Sequence, residues 1–265
     1  MDIPRALRAL PTLPARARDR FRDLWEEDVA EDGERSFRSG YEDDRPAEEL
    51  ERFHTLARER TPSHIYEGTR LLFFPFVGVL WRPRPVDSHH VPAAGPVILA
   101  PNHFSFLDHF FAGIFLRRKV VYVAKSQLFR LPLELWLAQM RAFPIRRGRG
   151  DTETFTTANA VLGRGGVVLM YAEGGRARGE ALGSPRSGVG RLALESGVPV
   201  VPVAIVGTQG VRDWRSGRFP KVTIRYGDAI RFEHVAEPDR DQARAAADEI
   251  FTRVRRLHQE VSSAA

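Results

Sequence analysis

Cysteine is absent from the 265 residues, which excludes a disulfide framework, thiolate metal sites and a cysteine nucleophile while leaving the redox compartment open. Lysine is scarce: Lys119, Lys125 and Lys221 are the three among 40 basic residues, so the positive charge is almost wholly guanidinium. Arginine favours bidentate contact with phosphate and carboxylate, although arginine with abundant alanine is also what GC-rich coding produces. Long hydrophobic runs are missing too. The longest, Leu71 to Trp81, is eleven residues and contains Pro75, whereas a spanning helix needs about twenty. The first residues, Ile3 to Leu10, lack the continuous apolar core of a secretory signal, so export is not indicated. There is no Walker A loop, no G-x-S-x-G elbow, no H-E-x-x-H pair and no repeat of fixed period.

What is present fits one α/β domain with a short appendage. Apolar residues make up 43% of the chain and aromatic ones 10%, which excludes a collagen-like or wholly disordered sequence. The charge is unevenly placed. Residues 1–60 hold 12 basic and 16 acidic side chains, so the remainder carries a net +10. A basic main domain implies an anionic partner: a phosphorylated substrate, an anionic membrane surface or nucleic acid. No aromatic-interleaved basic motif or zinc-finger spacing supports the last, so no nucleic-acid partner is expected.

Residues 1–60 alternate arginine with acidic clusters such as Glu42-Asp43-Asp44 and read as an acidic, partly disordered extension with short helical pieces. Residues 61–96 hold an apolar, aromatic helical segment, Ile65 to Trp81, followed by a proline-rich linker. The segment reads equally as a core helix or as an interfacial one whose aromatic face dips into lipid headgroups. From 97 to 265, short apolar runs alternate with helical ones. Candidate strands are Val97 to Ala100, Val120 to Ala124, Ala142 to Ile145, Val167 to Tyr171, Val200 to Val206 and Val222 to Tyr226. Candidate helices are Phe106 to Leu116, Leu131 to Met140, Asp151 to Leu162, Val189 to Ser196 and Asp239 to His258. Alternation of this kind predicts an α/β fold, a mixed, mostly parallel sheet flanked by helices.

Chemistry is expected at Asn102 to Phe111, between the first buried-strand run and a helix. A histidine at such a junction, with a carboxylate five residues on, forms a base-and-orienter pair: His103 takes a proton and Asp108 fixes its tautomer. Ser105 and Asp108 also carry the S-x-x-D capping pattern, which starts the helix near Ser105. His109 reads as a packing residue. Neither His103, Asp108 and His109 nor His89-His90 shows a recognised metal-ligand spacing, so no metal is expected. Gly188-Val189-Gly190-Arg191-Leu192-Ala193 matches G-x-G-x-x-A, yet no hydrophobic strand precedes it, which argues against a dinucleotide site.

Four ordered stretches resemble a family pattern. Asn102-His103-Phe104-Ser105-Phe106-Leu107-Asp108 resembles the N-H-x4-D block of the glycerolipid acyltransferases, the group that contains the 1-acylglycerol-3-phosphate (lysophosphatidate) acyltransferases. Ala142-Phe143-Pro144-Ile145-Arg146-Arg147-Gly148 is similar to the second block, with Arg147 as the arginine that closes its strand. Tyr171-Ala172-Glu173-Gly174-Gly175-Arg176 is similar to the third, F-P-E-G-T-R. Val198-Pro199-Val200-Val201-Pro202-Val203 is similar to the fourth, and the likeness covers about Thr61 to Tyr226.

The resemblance implies transfer of a fatty acyl group from acyl-CoA or acyl-ACP, as co-substrate, to the hydroxyl of a lysophospholipid, with no permanently bound cofactor. It implies His103 and Asp108 as the general-base pair, and Arg147, Glu173, Gly174 and Arg176 as the acceptor and phosphate site. With a lipid substrate the interfacial reading of Ile65 to Trp81 gains, and the expected place is the cytoplasmic face of a membrane, bound peripherally. Ala172, Gly175 and Ala177 depart from the third block and remove hydrogen-bonding groups. Acceptor identity is therefore open to a lyso-ornithine lipid, a glycolipid or another alcohol or amine. Arg146, Arg178 and Arg186 add charge near these blocks that compensates for the loss or meets a cofactor phosphate. From another class, the alternative is a non-catalytic lipid-binding protein.

Overall fold

The computed structural model describes residues 43, 45–146, 151–177, 181–210 and 219–264. The strands are β1 (Arg84–Val86), β2 (Val97–Pro101), β3 (Val120–Lys125), β4 (Phe143–Ile145), β5 (Val167–Leu169), β6 (Val200–Val206) and β7 (Thr223–Tyr226). They form one seven-stranded sheet in the order β1-β7-β6-β2-β5-β3-β4. The five strands from β6 to β4 run parallel, β7 lies antiparallel to β6, and β1 is parallel to β7. Every residue of β2 and β5 is buried, which is why both read as unbroken apolar runs, as strands covered on both faces must.

The helices are α1 (Ala47–Glu59), α2 (His64–Trp81), α3 (Asp108–Ile114), α4 (Leu133–Met140), α5 (Thr152–Gly163), α6 (Ser187–Ser196) and α7 (Arg240–Ser263). Successive strand residues point to opposite faces, so the sheet packs on both sides, and a third cluster joins Leu50 and Phe53 of α1 to Phe129, Leu137 and Ala142. Ile98, Ala100, Val168 and Met170 pack with Phe155 of α5, Leu192 of α6 and Ile250 and Phe251 of α7. Val97, Leu99, Val167, Leu169 and Tyr171 pack on the other side with Val77 and Trp81 of α2 and Phe111 of α3. Gly190 sits where α6 meets α7: a Cβ there would lie 2.1 Å from the Ala243 carbonyl oxygen. The glycine of the G-x-G-x-x-A stretch thus serves helix packing.

Three elements differ from the expectation. Within the stretch read as an extension, Ala47–Glu59 is a thirteen-residue helix that buries Leu50, Phe53, His54 and Ala57. These lie at the i, i+3, i+4, i+7 spacing of a helix face, a stripe that the surrounding charge obscured; residues 1–42 lie outside the described part. Strand β1 has no apolar run to announce it, and Pro85 is tolerated because β1 is an edge. The capping box predicted at Ser105 does not form. Helix α3 begins at Asp108, and the Ser105 hydroxyl accepts the Leu107 amide instead at 3.3 Å.

Helix α2 is eighteen residues long, and no helix among the described residues is long and apolar enough to cross a membrane. Tyr66, Val77 and Trp81 are buried in the domain, while Leu71, Leu72, Phe74, Phe76 and Val79 are exposed. Leu131 and Leu135, at the start of α4, are exposed as well.

Candidate active site

The site is assembled where β2, β5 and β6 end. Asn102 closes the β2 end on β6: its side chain accepts the Ile205 amide at 2.7 Å and donates to the Ile205 carbonyl at 2.9 Å, fully buried. The chain then leaves the sheet, and Asp108 gathers the loop that follows. One carboxylate oxygen, Oδ2, accepts from His103 Nδ1 at 3.0 Å and from the amides of Phe104 and Ser105 at 2.7 Å each. Both His103 and Asp108 are buried. An ionised carboxylate has no proton to donate, so Nδ1 carries the imidazole hydrogen and the basic lone pair is on Nε2. The two residues paired in the sequence reading thus meet, with Asp108 in the first turn of α3 and its carboxylate gathering the loop that precedes the helix.

Glu173, just beyond β5, is also buried, and each of its oxygens has an amide partner. Oε1 accepts the His103 amide at 3.0 Å and Oε2 the Gly183 amide at 2.9 Å. Burial, opposed by these two hydrogen bonds, pushes its carboxyl up to about 7. Gly174 follows at φ +64°, its amide bonded to the Tyr171 carbonyl at 3.1 Å. The Ala177 amide returns to the His103 carbonyl at 2.7 Å, so the third block is wrapped around the first. Arg176 is half-buried beside this turn.

Arg147 and Arg178 lie outside the described residues. Arg146, expected to add charge to the site, is engaged elsewhere: its guanidinium donates to the carbonyls of Asp43 and Arg45, and its amide donates to Asp151 at 2.7 Å. Asp43 and Arg45 form a buried pair, whose mutual hydrogen bonds hold the Asp43 carboxyl well below the ordinary range. Arg45 reaches on to the carbonyls of Ser126 and Phe129. Arg146 thus ties the chain ahead of α1 to the end of β4.

An apolar pocket opens beside the histidine, between α2, α3, α4 and β3. Tyr66, Phe73, Phe110, Tyr122, Trp136 and Met140 contribute to its wall, as does His109. The His109 ring meets that of His103 edge-on, with centroids 5.3 Å apart. Thr69 and Trp136 are bridged by an indole N–H bond of 3.2 Å across this space. The exposed apolar side chains of α2 and α4 belong to two of the helices that wall the pocket.

The family model for Acyltransferase matches residues 82–206. A 1-acyl-sn-glycerol-3-phosphate acyltransferase of Arabidopsis thaliana is 26% identical over 157 residues, 54% of this chain and 44% of that protein. The lyso-ornithine lipid O-acyltransferase of Pseudomonas aeruginosa is 36% identical over 115 residues, 42% of this chain and 43% of its own length. The crystal structure of the 1-acyl-sn-glycerophosphate acyltransferase PlsC from Thermotoga maritima superposes with a TM-score of 0.55 over 80% of this chain and 88% of that one. At 18% identity that likeness shows the fold. Over residues 82–206, just under half of its length, the chain is similar to the glycerolipid acyltransferases.

The chain spans less than half the length of the curated relatives just described. Within the acyltransferase region, the structure brings His103, Asp108 and Glu173 together. Two residues with site roles were not singled out from the sequence. Asn102 was quoted within its block, but its hydrogen bonds to Ile205 join positions 103 residues apart. Tyr171 ends a candidate strand and opens the third block in the sequence, and in the fold its ring lies against His103, with centroids 3.8 Å apart. The strand alternation that puts Tyr171 on the same face as Val167 and Leu169 was the one available signal.

Proposed function

We propose that this acyltransferase moves a fatty acyl group from an acyl-CoA or acyl-ACP thioester to the free hydroxyl of a lysophospholipid, 1-acylglycerol-3-phosphate giving phosphatidate. The observation that carries the reading is the His103–Asp108 pair, buried, with Nδ1 on the carboxylate and the basic nitrogen on the opposite side of the ring. In the reaction the acceptor oxygen attacks the thioester carbonyl as its proton passes to His103 Nε2. The tetrahedral intermediate then expels the thiolate, which takes that proton back as the thiol. The alcohol is the nucleophile, so no acyl-enzyme forms.

The apolar pocket that reaches His109 suits an aliphatic chain, since its wall offers large side chains and few polar groups. Arg147 and Arg176 hold the acceptor phosphate in this reading, and Gly174 shapes the turn that presents Arg176. Glu173 acts through the loop that it ties to His103 rather than by touching the acceptor. The exposed face of α2, with Leu131 and Leu135, rests in the headgroup region on the cytoplasmic side of a membrane. A lyso-ornithine acceptor is the second reading. The altered third block and the similarity to the Pseudomonas aeruginosa lyso-ornithine lipid enzyme favour it.

The test is release of thiol from palmitoyl-CoA by the purified full chain, with and without lysophosphatidate or lyso-ornithine lipid, beside His103→Ala. Release that requires one acceptor and His103 supports the reaction and names the acceptor. If no thiol is released with any acceptor, an acyl-ACP donor included, the enzyme reading fails and a lipid-binding role replaces it.

A further inference from the structure

The aspartate that holds His103 fixes only part of its position. A single bond from Nδ1 to Oδ2 leaves the imidazole able to tilt about the Nδ1–Oδ2 line. A second contact removes that freedom. The Tyr171 ring lies against the imidazole with centroids 3.8 Å apart and planes 17° from parallel. His109 meets both rings edge-on, at 5.3 Å from His103 and 4.9 Å from Tyr171. Tyr171 itself cannot move aside. It follows β5 on the face lined by Val167 and Leu169 and is packed in the same core as Phe111 and Tyr226.

The tyrosine hydroxyl sharpens the point. Its oxygen is buried and has no hydrogen-bond partner among the described residues, whereas a buried tyrosine hydroxyl ordinarily has one. Nothing in the described structure is gained from the hydroxyl, so the ring is what this position supplies. Burial, with the Asp108 charge adding to it, drives the phenol well above its ordinary range and keeps the ring neutral. A neutral aromatic face presents negative charge density to whatever stacks on it, and it attracts a cation more than a neutral ring.

We propose that Tyr171 is a positioning residue for acyl transfer: its ring face sets the plane of His103 and stabilises the imidazolium that forms when His103 takes the acceptor's proton. This rests on the base role of His103 proposed above. The charge that appears is one proton's worth, received from the attacking hydroxyl and returned to the leaving thiolate, and no further reactant is required. Among the described residues, Asp108 on Nδ1, Glu173 on the His103 amide and the His109 edge act on that charge together with Tyr171.

The experiment compares wild type with Tyr171→Phe and Tyr171→Leu in the thiol-release assay, recording kcat, KM and the pH dependence of kcat/KM, with thermal melts of each. Tyr171→Met replaces Leu if the latter does not fold. The expected result is that Phe restores kcat to within about threefold of wild type, while Leu or Met lowers kcat by about tenfold or more with little change in KM. The acid limb of the Leu or Met profile moves to lower pH by about half a unit, because loss of the aromatic face makes the imidazolium harder to form. A purely structural role would lower stability without moving that limb. Leu activity equal to wild type, or a loss in Phe as large as in Leu, overturns the proposal. Wild type without acceptor-dependent release removes the base role and this inference with it, whereas an active wild type with an unchanged Leu profile removes the inference alone.

Discussion

Glu173 and His103 are joined through the backbone: one carboxylate oxygen of Glu173 takes the His103 amide at 3.0 Å, while the other takes the Gly183 amide at 2.9 Å. Glu173 is thereby a clasp between the His103 loop and the segment after the third block. Its burial raises the carboxyl from the ordinary carboxylate range to about 7. The folded state therefore binds a proton that the unfolded chain has released. Stability from this group is greatest below the unfolded value and is lost as pH rises through the folded one. Denaturant melts from pH 5 to 8 should show wild type losing about 2.5 kcal/mol that Glu173→Gln does not lose. Parallel curves for the two proteins would show that the carboxyl does not titrate in this window.

Asp108 should matter twice. His103→Ala removes the base and should lower turnover by about a hundredfold to ten-thousandfold with little loss of stability. Asp108→Ala also leaves the amides of Phe104 and Ser105 without their acceptor, and buried donors left unpaired cost about 1–3 kcal/mol each. Asp108→Ala should therefore melt well below His103→Ala. Equal melting temperatures would count against the bridging role of the carboxylate.

Arg146 and Arg147 are adjacent but should separate cleanly. Arg146 holds the carbonyls of Asp43 and Arg45, so Arg146→Ala should destabilise the chain by about 1–2 kcal/mol, through loss of charged hydrogen bonds, and leave the acceptor KM within about twofold. Arg147→Ala should raise the acceptor KM by about tenfold or more, the loss expected for a phosphate contact. Acceptor kinetics and thermal melts of both variants decide the matter, and an acceptor KM that responds to Arg146 instead would reverse the assignment.

Leu72 and Phe76 are 73% and 58% exposed on α2, so replacing both with serine should scarcely alter folding. If that face enters the headgroup region, each loses a favourable transfer of about 1.5–3 kcal/mol at full burial. Co-sedimentation with vesicles of phosphatidylglycerol and phosphatidylethanolamine should fall by about tenfold or more. Unchanged sedimentation would assign the exposed face another purpose.

The helix seen at Ala47–Glu59 shows where reading by composition stops. Arginine and glutamate dominate that stretch, and the apolar positions that bury Leu50, Phe53 and Ala57 become a stripe only at helical spacing. Strand β1 was illegible for the opposite reason: Arg84-Pro85-Val86 has no pattern of its own and becomes a strand by pairing with Thr223 to Arg225. The central strands were legible because burial on both faces demands continuous apolar sequence, and Val200 to Val206 falls on its predicted bounds.

The sequence by itself determined the α/β alternation and the spacing of His103 and Asp108, because these depend on neighbours a few positions apart. Tertiary structure decided what the distant groups do. Glu173 clasps the His103 and Gly183 amides, Arg146 is committed to the chain before α1, and the Tyr171 ring comes to rest on His103. Each of these contacts starts from a residue just beyond the end of a parallel strand, and the segment it meets lies far enough along the chain that no local pattern signals the contact.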